Sequence, residues 1–302
     1  MIIELTDDEI GILLSTAAHV PAMHNARPCR FEVHGPVIDA LVDPVPDETL
    51  AGSSVRATHL GVGAAVLNLR VAAAMLGHQT HFATLPDPAR PEIKARIFLA
   101  GRGSPVAELS HLYGETTRRH LIREQLVDRP IQPRIRRVLD RAARAEEAKL
   151  HWLETPARSR LDALLRQTTD ADAGGFHSFS TRGPQRRAFA GYGYPYRTGD
   201  LLDRTTEDLT GAAVAVLITR DEDEDAWIRA GMALQRVLLV ATSHGLAATY
   251  LDQLTERTET RAQVRRLVAG HWPQMVLRIG YPAQSNGHTG RRDWHEPVDR
   301  WF

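Results

Sequence analysis

Lysine is almost absent from this chain of 302 residues. Of 37 basic residues only Lys94 and Lys149 are lysine, which leaves 35 arginines (37 − 2). With abundant alanine, that skew points to a GC-rich genome, so a single arginine here says little about function. Net charge is absent too, since 37 acidic residues balance the 37 basic ones. No bulk electrostatic case for a nucleic-acid partner or an anionic membrane follows. One cysteine, Cys29, excludes an internal disulfide and suits a reducing cytosol. No Cys or His grouping has zinc-site spacing, no secretory signal is visible, and no apolar run reads as long enough to span a bilayer. A soluble cytoplasmic protein of one large or two modest domains is the expectation.

What the chain does contain is a loose internal repeat. Leu60 to Gly77 is an alanine-rich, almost wholly apolar segment that predicts a buried helix ending at a glycine C-cap. Ile228 to Gly245 is a second segment of the same kind. Setting Gly63 on Gly231 also sets Ala65 on Ala233, Ala73 on Ala241 and Gly77 on Gly245, all at one offset (231 − 63 = 168). Each copy continues into a strand-like run, His78 to Leu85 and Leu246 to Leu251, and then returns to another, Ile93 to Ala100 and Gln274 to Gly280. A helix of about Arg257 to Ala269 separates the strands of the second copy. Gly211 to Thr219 reads as a buried strand ahead of the second helix, with the acidic run Asp221 to Asp225 between them. Glycine inside an apolar helix costs about 1 kcal/mol against alanine and usually permits close helix approach. The expected fold is therefore α+β, a single-chain pseudo-dimer of two related halves, 1–113 and 114–302, packed around long central helices.

The stretch Pro21-Ala-Met-His-Asn-Ala-Arg-Pro-Cys-Arg-Phe31 carries the first chemical signal. Ahead of it, Ile10, Leu13, Leu14 and Ala17 fall at helical spacing, with Thr6 as N-cap and Glu9 three residues on. Behind it, Phe31 and Val33, then Val37 to Val42, read as two strands around a Gly35-Pro36 turn. A helix-to-strand loop with Asn25 and a proline on each side can lay backbone amides against a flat ligand, although it also fits an ordinary polar connection. The second signal is arginine in company. Thr116-Thr-Arg-Arg-His-Leu-Ile-Arg123 places Arg118, Arg119 and Arg123 within about a turn and a half of a predicted helix. Arg291 and Arg292 follow the Gly-rich stretch after Gly280-Tyr-Pro282. Such arginines suit a phosphate dianion, and equally a solvated basic face.

Taken in order, these segments resemble the nitroreductase superfamily. Its flavin-contacting loop has the form Ser-x-x-Asn-x-Gln-Pro-Trp, matched here by His24-Asn-Ala-Arg-Pro-Cys-Arg-Phe31. Its central helix, Gly-x-Ala-x-Gln-Asn-x-x-Leu-x-Ala-x-x-x-Gly-Leu, is matched by Gly231 to Leu246, and its last strand by Val276-Leu-Arg-Ile-Gly-Tyr-Pro282. The chain is more similar still to the Acg-like branch of actinobacterial NAD(P)H nitroreductases, which fuses two nitroreductase-like halves in one chain. The resemblance implies FMN at the interface of the halves. Pro21, Ala22, His24 and Asn25 would then line the ribityl chain and ring, and Thr249 and Tyr250 would lie near the reactive nitrogen. Arg118 and Arg119, helped by Arg123, Arg291 or Arg292, would hold the phosphate. The second half lacks a matching Asn-Pro loop, so one FMN per chain is expected.

The resemblance further implies hydride transfer from NAD(P)H through the flavin to a nitroaromatic or quinone-like acceptor, with a flavin-holding protein of little turnover as the alternative. A small-molecule substrate or flavin is then the only partner, and the chain would be a monomer as a fused pseudo-dimer or a weak homodimer. Two positions depart from the pattern: Arg27 stands where the family has Gln, and Cys29 where it has Trp. No catalytic triad or Gly-x-Gly-x-x-Gly site is read, since Gly61-Val-Gly63 lies within a helix. His78/His81 and His19/His24 read as surface or loop histidines. Thr181 to Asp200, rich in Gly, Pro and Tyr, reads as a lid or a long surface connection. Trp294, Val298, Trp301 and Phe302 read as terminal anchors.

Overall fold

A computed structural model of the chain describes residues 4–20, 29–42, 52–102, 107–118, 126–174, 209 and 212–283. The first run of elements is α1 (Asp7–Ala17), β1 (Arg30–His34), β2 (Val37–Leu41), α2 (Gly52–Met75), β3 (His78–Thr84) and β4 (Ile93–Arg102). Thr6 caps α1 with a complete capping box, its side chain accepting from Glu9 N while Glu9 reaches back to the Thr6 amide at 3.0 Å. Gly35, at φ +58°, turns β1 into β2, and Gly77, at φ +84°, closes α2. The strands form one antiparallel sheet in the order β1-β2-β4-β3.

The second run begins with short helices α3 (Ala107–Ser110) and α4 (Tyr113–Arg118) and strand β5 (Leu126–Val127). Then come α5 (Pro133–Arg144), β6 (Lys149–Trp152), α6 (Thr155–Gly174), β7 (Ala213–Thr219) and α7 (Glu224–Ser243). It ends with β8 (Ala247–Tyr250), α8 (Gln253–Glu256), α9 (Thr258–Leu267) and β9 (Trp272–Pro282). Here β6 pairs β7, β7 pairs β9 and β8 pairs β9, all antiparallel. The order β6-β7-β9-β8 repeats β1-β2-β4-β3 element for element. The initial helices repeat as well, since α1 packs on α2 and α5 on α7.

Even an irregularity recurs. On β4, Ala40 pairs with Ala95 and Leu41 with Ile93, so Lys94 is the extra residue of a bulge. On β9, Leu217 pairs with Met275 and Ile218 with Pro273, so Gln274 is the extra residue at the matching place. A bulge bends its strand and redirects one residue. Lys94 Nζ donates to Glu224 Oε2 of α7 at 2.8 Å, and the Gln274 carbonyl accepts from Arg56 Nη1 of α2 at 2.7 Å. Arg56 and Glu224 are related by the offset of the two helices (224 − 56 = 168). Each sheet thus grips the first turns of the helix that belongs to the other run.

Between the sheets α2 and α7 cross in contact. A Cβ built on Gly63 would lie 1.9 Å from the Ile228 carbonyl oxygen, and one on Gly231 would lie 2.0 Å from that of Leu60. Leu60 and Ile228 again differ by 168 (228 − 60), so the contact is reciprocal. Nearly every side chain from Leu60 to Ala74 and from Ile228 to Ala241 is buried in the main core. A smaller core lies on the outer face of the second sheet, under α6 and α9, around Leu161, Leu165, Val216, Leu254 and Val264.

Four expectations need correction. The first long helix starts at Gly52 rather than Leu60, and the second at Glu224, because Asp223 caps it (2.8 Å to Ala226 N) and the acidic run supplies its first turn. His78 is not a surface or loop histidine. It opens β3, is 2 % exposed, and sits 3.4 Å from Glu9 Oε1, while His81 is exposed on the same strand. A short helix, α8, precedes α9. Finally, Val55–Met75 is long and apolar enough to cross a membrane by length and composition, but 83 % of that window is buried inside the protein, so core packing accounts for its apolarity.

Two outcomes test this architecture. Gly63→Ala or Gly231→Ala should cost about 3 kcal/mol or more in urea unfolding, because the added methyl meets backbone that cannot rotate away. Gly11→Ala, where nothing lies within 4 Å of the new Cβ, should instead stabilise α1 by up to about 1 kcal/mol. The second concerns Glu222, beside the Arg56–Gln274 contact. Burial pushes its carboxyl up, but hydrogen bonds from Arg261 and Gln274, each 2.8 Å from Oε2, outweigh that and hold it below the usual carboxylate range. A depressed folded-state pKa gives stability that is present above the unfolded value and lost as pH falls through the folded one. Glu222→Gln should therefore lose about 1–2 kcal/mol at pH 7 and flatten the acid limb of a stability–pH curve.

Candidate functional site

In the second sheet, β5 and β8 both pair with β9. Strand β5 pairs with the end of β9, Leu126 opposite Pro282 and Val127 opposite Tyr281. Strand β8 continues along the same edge, Ala247 opposite Gly280, Thr249 opposite Arg278 and Tyr250 opposite Leu277. Leu126 packs so closely on Gly280 that a Cβ there would meet its side chain at 3.1 Å. The pairing is antiparallel, so Leu126, the first residue of β5, lies opposite Pro282, the last of β9. In the sequence, Arg118, Arg119 and Arg123 precede β5, and Arg291 and Arg292 follow β9.

Arg118 is the last residue of α4, which packs on α2 and α7. Its side chain is 76 % exposed and meets Glu115 at 3.5 Å, so its fork is available to an anion. Thr249 and Tyr250 are half-buried, with Tyr250 packed against the main core. Pro21, Ala22, His24, Asn25, Arg27, Arg119, Arg123, Arg291, Arg292, the 181–200 segment and the terminal anchors lie outside the described residues. Among the described residues no group of His, Cys, Asp or Glu is placed to hold a metal ion.

The two ends of the Pro21–Asn25 connection are described, and they are tied to the helix crossing. Asn68 of α2, fully buried, donates from Nδ2 to the carbonyls of Thr16 (3.1 Å) and His19 (3.0 Å). Its Oδ1 accepts from Gln235 Nε2 of α7 at 2.7 Å. Sequence reasoning singled out Gln235 only as part of a helix pattern and missed Asn68, whose signal is a polar side chain in an otherwise apolar helix. Downstream, Cys29 packs against the main core, and burial pushes its thiol up to about 12.

The second run does something different at the matching place. Arg236, at the offset of Asn68 (236 − 68 = 168), donates from Nη1 to Glu146 Oε1 at 2.7 Å, just past the end of α5. Glu146 also accepts from Arg70 Nη1 at 2.7 Å, and Arg236 Nη2 reaches Glu108 Oε1 at 2.7 Å. Glu146 and Arg236 are 3 % and 5 % exposed, so this is a closed ion network in which every charge is compensated. The connection from α5 to β6 spans only residues 145–148, whereas that from α1 to β1 spans 18–29.

Comparison with known proteins places this architecture. Residues 43–281 match the Nitroreductase family. The Mycobacterium tuberculosis H37Rv protein Rv3131, provisionally named as an NAD(P)H nitroreductase, is 29 % identical over 97 % of this chain and 91 % of its own length. A second protein of that organism, acg, with the same provisional name, is 25 % identical over 91 % of this chain and 90 % of its own. Among solved structures, a nitroreductase with bound FMN from Bacteroides fragilis superposes with a TM-score of 0.43 at 15 % identity, covering 63 % of this chain and 97 % of that one. With well over half of its length matched, the chain belongs to the nitroreductase family.

Proposed function

We propose that the chain is an FMN-dependent NAD(P)H oxidoreductase of nitroreductase type, passing hydride to a nitroaromatic or quinone-like acceptor. The observation that carries this reading is the match of residues 43–281 to the Nitroreductase family, in a fold where β5 and β8 both pair with β9. The donor set there fits a phosphate dianion, since guanidinium forks are the side chains suited to bidentate phosphate contact and that of Arg118 is exposed. Family membership and the names of Rv3131 and acg support the same chemistry.

In this reading the halves are 1–113 and 114–302, a fused pseudo-dimer acting as a cytoplasmic monomer, with small molecules as its only partners. Arg118 and Arg119, with Arg123, Arg291 or Arg292, hold the phosphate. Thr249 and Tyr250 border the ring from the second half, and Pro21, Ala22, His24 and Asn25 border it from the first. Asn68 holds the carbonyls at the base of that loop, so the loop position follows the helix crossing. Bound FMN supplies reversible hydride acceptance at its N5. The protein orients the ring, fixes the phosphate and excludes water; no side chain is required as nucleophile. One FMN per chain is part of this reading, supported by the 145–148 connection of four residues (148 − 144) where the other run has twelve (29 − 17).

The purified protein should carry a stoichiometric flavin released as FMN on denaturation, and anaerobic NADPH should bleach its visible spectrum. Arg118→Ala and Arg119→Ala should each raise the FMN dissociation constant about tenfold, equivalent to about 1.4 kcal/mol. Retained affinity in both variants would remove the phosphate assignment. Bound flavin that no nicotinamide reduces would point instead to flavin holding behind a lid at 181–200.

A further inference from the structure

We propose that a cavity at the opening of α6 is a second binding site, separate from the flavin site, for one small oxyanion: a phosphate group or a short carboxylate. The cavity has a volume of about 210 Å³ and lies between the 128–131 segment, α5, the β6–α6 turn and the start of β7. Three guanidiniums line it, those of Arg129, Arg136 and Arg158. Among the described residues none of the three is in an ion pair. Arg129 lies over the Tyr281 ring at 4.3 Å, Arg136 over the Trp152 ring at 5.0 Å, and Arg158 donates to the Leu209 carbonyl. Arg136 Nε is buried with no hydrogen-bond partner, a donor that desolvation makes costly to leave unfilled.

The surroundings are built to hold still. Trp152, which floors the cavity, donates its indole N–H to Asp140 Oδ1 at 2.9 Å, so its ring and the arginine above it are held in place. Helix α6 opens on the cavity, with Glu154, Thr155 and Arg158 in its lining, and Arg158 N–H makes the first helical bond to the Glu154 carbonyl. Free amides at a helix start add to an anion site made by other groups.

Size and charge narrow the ligand. Pockets for drug-sized molecules run from about 300 to 1,000 Å³, so about 210 Å³ excludes a whole flavin or dinucleotide. Asp128 and Glu154 also line the cavity, leaving a formal balance of +1 (3 − 2). That balance suits a single small anion and disfavours a polyanion such as a nucleic-acid backbone. Asp128 and Arg129 directly follow β5, and Arg129 stacks on Tyr281 of β9, so the cavity adjoins the β5–β9 pairing.

The test uses the full chain with its flavin, titrated by calorimetry at constant ionic strength with inorganic phosphate in one arm and succinate in the other. Saturable binding of one probe with a millimolar or tighter dissociation constant is expected. Arg129→Gln and Arg136→Gln should each weaken it at least about tenfold, or about 1.4 kcal/mol, while Arg134→Gln, on the exposed side of α5, leaves it unchanged. Preference for phosphate or for succinate decides which oxyanion source the site serves. As a readout that does not depend on those variants folding, tryptophan emission should change on titration in the native chain and not in Trp152→Phe. Failure of both probes to saturate at millimolar concentration would overturn the proposal, as would binding that survives both arginine substitutions or an emission change that persists without Trp152. Flavin content in the same samples reports separately on the oxidoreductase reading.

Discussion

The backbone-to-backbone approach of α2 and α7 at Gly63 and Gly231 is the constraint on which the rest of the structure depends. Each glycine costs about 1 kcal/mol of helix propensity, and each is required because the facing carbonyl leaves no room for a Cβ. The return is contact along the two longest buried surfaces in the chain, where dispersion acts between many atom pairs at once. Close approach also sets the register of everything polar between the helices. Asn68 meets Gln235 and His59 meets the Trp227 ring edge-on at 5.6 Å only because the axes are this near. Each sheet is tied to the long helix of the other run, through Lys94 on Glu224 and Gln274 on Arg56.

Those two grips show how an approximate two-fold arrangement accommodates unlike residues. In one, a side-chain ammonium meets a carboxylate; in the other, a guanidinium meets a backbone carbonyl. The bulge that presents the contact is common to both, and the chemistry is not. Arg56 is 3 % exposed, and burial, with Arg261 nearby, lowers its pKa to about 10. It stays charged at neutral pH, and its second donor is satisfied by the Thr255 carbonyl at 2.7 Å. The bulge is the same in both sheets while its partners differ, as expected where packing constrains backbone more tightly than side-chain identity.

Much of this was legible in the sequence because it rests on period and punctuation. The offset of 168 was visible from glycines and alanines alone, and Gly35, Gly77 and Gly245 mark their turns through positive φ. What was not legible depends on partners far away in the chain. His78 looks like a surface residue until β3 turns it toward Glu9. Helix α5 is hard to read because arginines at 134, 136, 137, 141 and 144 leave a buried face of only Ile135, Leu139, Ala142 and Ala143. At the candidate site, Thr249, Tyr250 and Arg118 could be named from pattern. The β5–β9 pairing could not, because a two-residue strand is too short to carry a periodic signal.

The two runs differ where the first helix meets the first strand, over residues 18–29 in one and 145–148 in the other. After α5 the chain turns through Ala145 into β6, and Glu146, brought inside by that tight turn, is neutralised by Arg70 from one half and Arg236 from the other. A buried carboxylate without both partners would be destabilising by several kcal/mol. The arginine at 236, where the other half has Asn68, is therefore demanded by the short connection rather than incidental to it. Conversely, a longer connection after α1 needs no buried counter-charge at its base. There the carbonyls of Thr16 and His19 accept from Asn68 Nδ2, and a neutral amide suffices. Asn68 and Arg236, one offset apart, thus serve two connections of different length, one through backbone carbonyls and the other through a buried carboxylate.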